Sequence, residues 1–249
     1  MSYGGGVNST ALGILLCSER LNQYKPWRAV WSDTHDERSE TYAYIADIFE
    51  PYLAKHGIKL EKVRPLEGVI ERWERLSVTG SRLLRTCTYH AKIQPLMAYV
   101  AQHGNPGDPY IIGIDAGEVH RAKPAQPGER EKIYPLVDLN IDREGCIEII
   151  KRAGLSVPVK SGCWHCPFLR VHEILELGKN HPDLLDRIDR LEQAATAAHP
   201  IEPGKLRTQW HDRPADYWRQ RSREDAKQLR LPFSGPEIPC GCFDGDDES

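Results

Sequence analysis

Ser2-Tyr3-Gly4-Gly5-Gly6-Val7-Asn8-Ser9-Thr10 opens the chain, and the apolar run Ala11-Leu12-Gly13-Ile14-Leu15-Leu16 follows at once. Three consecutive glycines let the backbone turn tightly and leave several N–H groups free to converge on one point. Asn8 or Ser9 is placed to cap the following helix, whose positive end would face the same point. A turn of this kind is a cradle for a phosphate-sized anion. Many glycine loops are only tight turns, so the weight of the reading rests on what accompanies this one.

Outward from the loop, short apolar strands alternate with longer helices. Arg28-Ala29-Val30-Trp31-Ser32 reads as a buried strand ending in the polar run Asp33-Thr34-His35-Asp36-Glu37. Helical spacing of Tyr42, Ile45, Ile48, Phe49 and Leu53 covers 39–56, and a strand is expected at 59–63. A helix over 89–103 carries Ile93, Leu96, Met97 and Val100 along one side; a strand at 110–114 and a helix over 142–153 complete the series. This order predicts an α/β fold with a doubly wound, mainly parallel sheet, its ligand at the carboxyl ends of the strands. Beyond Lys160 the texture changes. Helices are expected at 169–179 and 182–198, then a stretch over 200–239 rich in Pro, Arg and Trp, and an acidic end from Asp244 to Ser249. The reading is one nucleotide-binding domain over 1–168 and a C-terminal helical or irregular extension over 169–249.

The 249 residues are 40% hydrophobic and 28% charged, enough for a real core. A net charge of −3 provides no global basic field to recruit nucleic acid, although a local basic patch is compatible with it. No signal-peptide pattern precedes the loop and no apolar run is of membrane-spanning length, so a cytoplasmic location is expected. Seven cysteines, an odd number, argue against a disulfide framework in a reducing compartment. Cys17 and Cys146 sit among apolar residues and read as small buried hydrophobes. Cys87, Cys163, Cys166, Cys240 and Cys242 need another explanation.

The residues now assembled resemble the PP-loop of the ATP pyrophosphatase and phosphoadenylyl-sulfate (PAPS) reductase superfamily, written Ser-Gly-Gly-x-Asp-Ser. Gly4 takes the first Ser place, Gly5 and Gly6 the glycines, Asn8 the Asp place and Ser9 the final Ser. Further likenesses follow in order: Asp33-Thr34 with Glu37, Glu40 and Thr41; Cys87 with Lys92 and Pro95-Leu96; Glu118 with Arg121; Tyr134-Pro135-Leu136-Val137-Asp138; and Gly162-Cys163-Trp164-His165-Cys166. The resemblance covers roughly residues 2–168, and its specificity lies in the ordered set. Almost no first strand precedes the loop, and Asn8 stands where the pattern has an acid. The resemblance implies a site for ATP, or for PAPS or its adenylyl-sulfate relative APS. Tyr3, Gly4, Gly5, Gly6, Asn8, Ser9, Asp33, Thr34, Arg85, Lys92, Gly113 and Arg121 would contact the nucleotide, and Ser9, Lys92 and Arg121 would assist catalysis. Magnesium would accompany ATP.

A Cys-x-x-Cys pair sets two thiolates within reach of one metal, and a distant cysteine can join them. In the reductase branch cysteines at these places hold a 4Fe-4S cluster, so Cys87, Cys163 and Cys166 are candidate ligands. Thr86 precedes Cys87 where a second cysteine is usual, so the fourth ligand is either missing or comes from elsewhere, Cys240 or Cys242 being the obvious donor. Ligand chemistry alone permits zinc equally well. Pro239-Cys240-Gly241 also loosely resembles the reductases' nucleophilic Glu-Cys-Gly end, so Cys240 has a second candidate role.

Three functional expectations follow. ATP-dependent adenylation of an acceptor, with sulfur transfer and release of AMP and pyrophosphate, leads. A sulfonucleotide reductase using Cys240 and thioredoxin, or a non-catalytic nucleotide-binding subunit of a nucleic-acid modification or defence complex, are the alternatives. The acceptor could be tRNA, a DNA base or a small molecule; a sulfur donor and a homodimer are further expected partners, and a membrane is not. Trp210-His211 and Trp218, in their Arg-rich stretch, could stack bases or anchor the C-terminal extension.

Overall fold

A computed structural model describes residues 1–24, 26 and 28–227. In chain order the strands are β1 (Ser2–Tyr3), β2 (Arg28–Ser32), β3 (Lys59–Val63), β4 (Tyr110–Ile111) and β5 (Lys132–Ile133). The helices are α1 (Val7–Leu16), α2 (Ser39–Tyr44), α3 (Glu50–Lys55), α4 (Val69–Leu76), α5 (Thr86–Thr88), α6 (Gln94–His103), α7 (Pro135–Asp138), α8 (Arg143–Arg152), α9 (Val171–Asn180), α10 (Pro182–Ala198) and α11 (Ala215–Ala226). The described residues form two compact units, one of 1–65 and 88–162, the other of 66–87 and 163–227. The second unit thus draws residues from both sides of the first unit's later segment in sequence.

The first unit is α/β, as expected. Strands β1, β2 and β3 lie in that order and pair in parallel, Tyr3 beside Trp31 and Ser32 beside Val63. Ala29, Val30 and Trp31 are consecutive and all buried, so side chains on both faces of β2 are covered. All ten residues of α1 are buried. It is a central helix without a polar face, packed against α8, and Gly13 leaves room for Phe49, whose ring stacks on Tyr3 at 4.5 Å. β4 and β5 form a separate parallel pair. The strand expected at 110–114 ends at Ile111, because Gly113 turns its backbone onto the glycine loop instead of onto a neighbouring strand.

The helix expected over 39–56 is present, but its middle turn, Ile45–Phe49, is π-helical. The helix over 89–103 behaves alike, with a π-turn at Tyr89–Ile93. In each case a proline follows, Pro51 or Pro95. Proline removes an N–H and its ring collides with the carbonyl one turn back; widening that turn relieves the clash without ending the helix. Lys92 lies on the second of these widened turns.

In the second unit α9, α10 and α11 pack on one another, and α4 packs on α10. The helix expected over 182–198 is found with those bounds. Helix α11, which apolar spacing does not announce, buries Ala215, Trp218 and Ser222 and exposes most of the rest. Trp210 and Trp218 are core residues, the first donating its indole N–H to Cys166 O at 2.8 Å. They anchor the chain segment and offer no ring to a base. Gly178 lets α9 approach α11: a Cβ there would sit 2.2 Å from Ser222 Oγ and 2.8 Å from Leu185. Gly178→Ala is expected to lower stability by about 1–3 kcal/mol through overpacking, read as a lower urea midpoint at unchanged m-value.

Candidate functional site

The glycine loop leaves the carboxyl end of β1, and parallel register puts Asp33, at the end of β2, on the same edge. Gly5 has φ +75°, a left-handed conformation that side chains rarely adopt. Gly6, not Asn8 or Ser9, is the N-cap of α1, and no side chain caps it. The turn at Gly5 starts the helix earlier than the polar residues suggest, which places Asn8 and Ser9 inside its first turn. Ser9 Oγ instead shapes the loop, accepting from Gly4 N–H at 3.2 Å and donating to Gly6 O at 3.1 Å. The backbone N–H groups of Gly5, Gly6 and Val7 have no acceptor among the described residues. They are the orphan donors that an α-helix start presents to an anion.

Gly113 lies against the back of this loop: a Cβ there would be 2.9 Å from Ser9 Cα and 3.0 Å from Ser9 N. On another side are Thr41, whose methyl would be 3.2 Å from a Cβ at Gly5, and Ser161, whose hydroxyl would be 3.1 Å from one at Gly6. Sequence reasoning does not single out Ser161; nothing marks it except its place before Gly162-Cys163. Two buried polar atoms of the neighbouring stretch, Thr41 Oγ1 and Glu37 Oε2, have no hydrogen-bond partner among the described residues. Buried polar atoms are nearly always satisfied in a folded protein, so this pair marks a place for a ligand or water. Lys92 Nζ stands 3.3 Å from Glu37 Oε1, and the glutamate is almost wholly buried.

Other predicted contacts are turned inward. Asp33 accepts from Tyr42 OH at 2.6 Å, from His35 N–H at 3.0 Å and from Arg64 Nε at 2.8 Å. Burial, reinforced by the bonded Asp33 carboxylate, pushes the Tyr42 phenol well above its ordinary range, so it remains a donor. Thr34 Oγ1 donates to Glu37 at 3.4 Å. Asn8 Nδ2 donates to Asp115 Oδ2 at 2.8 Å and lies 3.5 Å from Glu118, while Arg143 donates to Asn8 Oδ1 at 3.3 Å. Arg121 Nη1 pairs with Glu118 Oε2 at 2.7 Å and is 9% exposed. The amide at position 8 follows physically: a carboxylate there would face two others, whereas Asn donates to both. Asp115, Glu118 and Arg143 complete this network from afar, a pairing that spacing in the sequence does not reveal.

Arg85 belongs to the second unit, where its guanidinium lies 5.2 Å from the Phe168 ring centre. So do Cys87, Cys163 and Cys166, each partly exposed and none in a disulfide. Among the described residues no group of three or more His, Cys, Asp or Glu is arranged to hold a metal ion. The turn closed by Cys166 N–H to Cys163 O holds the Cys-x-x-Cys pair in one short segment, in the same unit as Cys87. Cys240 and Cys242 lie outside the described residues. Cys146 is fully buried, its thiol pushed up to about 12 by desolvation, and is a core residue. Among the described residues no helix is long and apolar enough to cross a membrane.

The first unit is α/β, and at the carboxyl edge of its parallel sheet lies a glycine turn whose Gly5 and Gly6 N–H groups have no acceptor among the described residues. No protein-family model and no curated protein matches the chain. Among solved structures it is similar to phosphoadenylyl-sulfate (PAPS) reductase from Candida auris in its phosphate complex. Identity is 15%, the match covers 66% of this chain and 81% of that one, and the TM-score is 0.45. No residue role is carried across on a likeness of that size.

Proposed function

We propose that the first unit is an adenine-nucleotide enzyme of the PP-loop kind, adenylating an acceptor with ATP and releasing pyrophosphate. The observation that carries this reading is the Gly4–Gly6 turn with its unaccepted N–H groups, backed by Gly113 and flanked by the unpartnered Thr41 hydroxyl. The turn's N–H groups and the start of α1 hold the pyrophosphate portion, and their dipoles offset the negative charge that grows on it as it leaves. A carbonyl oxygen of the acceptor attacks the α-phosphorus, and the bond to pyrophosphate breaks. A sulfur or nitrogen nucleophile then displaces AMP from the acceptor. Lys92 supplies the mobile positive charge, steadied by Glu37 between turnovers. Arg121 and Asn8 are positioning residues in this reading, engaged with Glu118 and Asp115. Cys87, Cys163 and Cys166 lie in the second unit, and no step of this reading runs through a metal or cluster.

Purified full-length chain given ATP and candidate acceptors is expected to release pyrophosphate. Lys92→Gln should lower kcat about 10²- to 10³-fold, the range for removing one group that stabilises developing charge. It should also lower the melting temperature, because the buried Glu37 carboxylate loses its cation; kcat is read on protein shown to be folded by circular dichroism at the assay temperature. Sulfite release from PAPS or APS that Cys240→Ser abolishes would instead establish the reductase chemistry and overturn this reading.

A further inference from the structure

The second unit contains a cavity of about 620 Å³ that none of the chemistry above uses, between the stretch Val78–Leu84 and the segment 199–212. Its volume falls within the ~300–1,000 Å³ of small-ligand clefts. Its charge is lopsided: Arg82, Arg207, His199 and His211 line it, against the single acid Asp212. From Ser77 to Tyr89 the chain carries two arginines and no acidic residue. Neither Arg82 nor Arg207 has a carboxylate partner among the described residues. Arg82 lies over the Phe168 ring at 5.1 Å, and among the described residues the Arg207 guanidinium donates to the backbone carbonyl of His199 while its backbone N–H donates to Thr196 Oγ1. Most other arginines of this unit with described contacts are used differently: Arg187 forks onto Glu74, and Arg219 meets Asp186, Asp189 and Asp216.

The rim adds a second character. Leu83 and Leu84 are 92% and 75% exposed beside Arg82, a costly display of apolar surface. At the opposite stretch His211 and Asp212 are successive left-handed residues, with φ +49° and +53°. Non-glycine residues persist there only when their surroundings hold them, and His211 Nε2 is tied at 2.9 Å to Leu169 O. The mouth is therefore built and held. Gln209, bonded to both Gly80 N–H and His165 O, fixes the two walls to each other.

We propose that this cleft binds single-stranded nucleic acid. Arg82 and Arg207 take the phosphodiester charge, and Leu83 and Leu84 cover the faces of an unpaired base. A fixed guanidinium suits phosphate oxygens, and an apolar surface beside it suits a ligand that is anionic on one side and flat and apolar on the other. A concave mouth admits a splayed-out nucleotide, whereas a duplex keeps its bases stacked inside. An acidic peptide shares the charge without the flat apolar faces. The site belongs to the second unit alone and stands whatever the glycine loop holds.

The test is fluorescence anisotropy of labelled short oligo(dT) and oligo(U) on the full chain, without ATP, from about 50 to about 200 mM salt. Binding is expected to weaken as salt rises. Arg82→Gln should weaken it about fivefold or more and reduce the log–log salt slope by about 0.7, one phosphate contact on a single strand. Leu83→Ala should weaken it with no change of slope. Arg82 makes no hydrogen bond among the described residues, so its variant is expected to melt with the parent, confirmed by circular dichroism. Unchanged affinity and slope in a folded Arg82→Gln protein would overturn the proposal. So would equal affinity for a duplex of the same sequence, or equally effective competition by polyglutamate. Because ATP is absent, loss of this binding and loss of the loop's nucleotide binding are separately visible.

Discussion

Gly113→Val is expected to weaken nucleotide uptake by about tenfold or more while leaving the second unit folded. Its first added carbon would stand 2.9 Å from Ser9 Cα and 3.0 Å from Ser9 N, both backbone atoms that no rotamer can move aside. Either the strand end retreats or the start of α1 shifts, and in both cases the orphan N–H groups of the loop no longer converge. Overpacking of this kind costs about 1–3 kcal/mol, and a β-branched residue lies toward the upper end. Losing one or two charge-assisted N–H contacts to phosphate adds about 1.5–3 kcal/mol each to the binding loss, a fall in affinity of roughly tenfold or more. Isothermal calorimetry with ATP and with PAPS reads the effect. A Gly113→Val protein that binds either nucleotide like the parent would show that the glycine loop is only a turn.

Glu192→Ala is expected to be the most damaging single change in the second unit. Glu192 is fully buried in α10 and accepts two backbone N–H groups, from Gln209 at 2.7 Å and Ala215 at 2.8 Å. It closes the 209–215 segment onto the helices. Removing it leaves two buried donors unsatisfied, at about 1–3 kcal/mol each, and a cavity besides. Burial raises the carboxyl to about 7, a shift that the two N–H bonds only partly offset and that Asp189 adds to. Below the unfolded value near 4.5 both states are protonated; between 4.5 and about 7 the folded state holds the extra proton. Stability from this group is therefore lost as pH rises from about 4.5 to about 7, on the order of 3 kcal/mol, and is level above that. Glu192→Gln should flatten that part of the stability profile, measured by urea unfolding at several pH values. A Glu192→Gln protein with the parent's slope would assign the pH dependence elsewhere.

Much of the frame was legible because local patterns carried it. The stretch 28–32 is apolar enough to be covered on both faces, and 182–198 carries Leu185, Ile188 and Leu191 at helical spacing; both elements have the expected bounds. Helix α11 escapes sequence reasoning because only Ala215, Trp218 and Ser222 are buried in twelve residues, too few to set a period. The π-turns follow from Pro51 and Pro95, yet a proline alone equally predicts a helix end. Burial of Trp210 and Trp218 settled their anchoring role against base stacking, since an exposed ring and a core ring have the same sequence signature.

The candidate site divides in the same way. Three glycines in a row, a following apolar helix and a charged strand end are properties of adjacent residues. From the sequence by itself they predict a tight turn at the start of a helix at the strand's carboxyl end, which the structure has. Which polar groups face that turn was decided by contacts between residues far apart in the chain. Only the tertiary structure placed Gly113 and Ser161 against the loop and turned Asn8 and Arg121 toward Asp115 and Glu118. The reason is physical: backbone conformation answers to neighbours along the chain, whereas a side chain's charge is satisfied by whatever packing brings within hydrogen-bond reach.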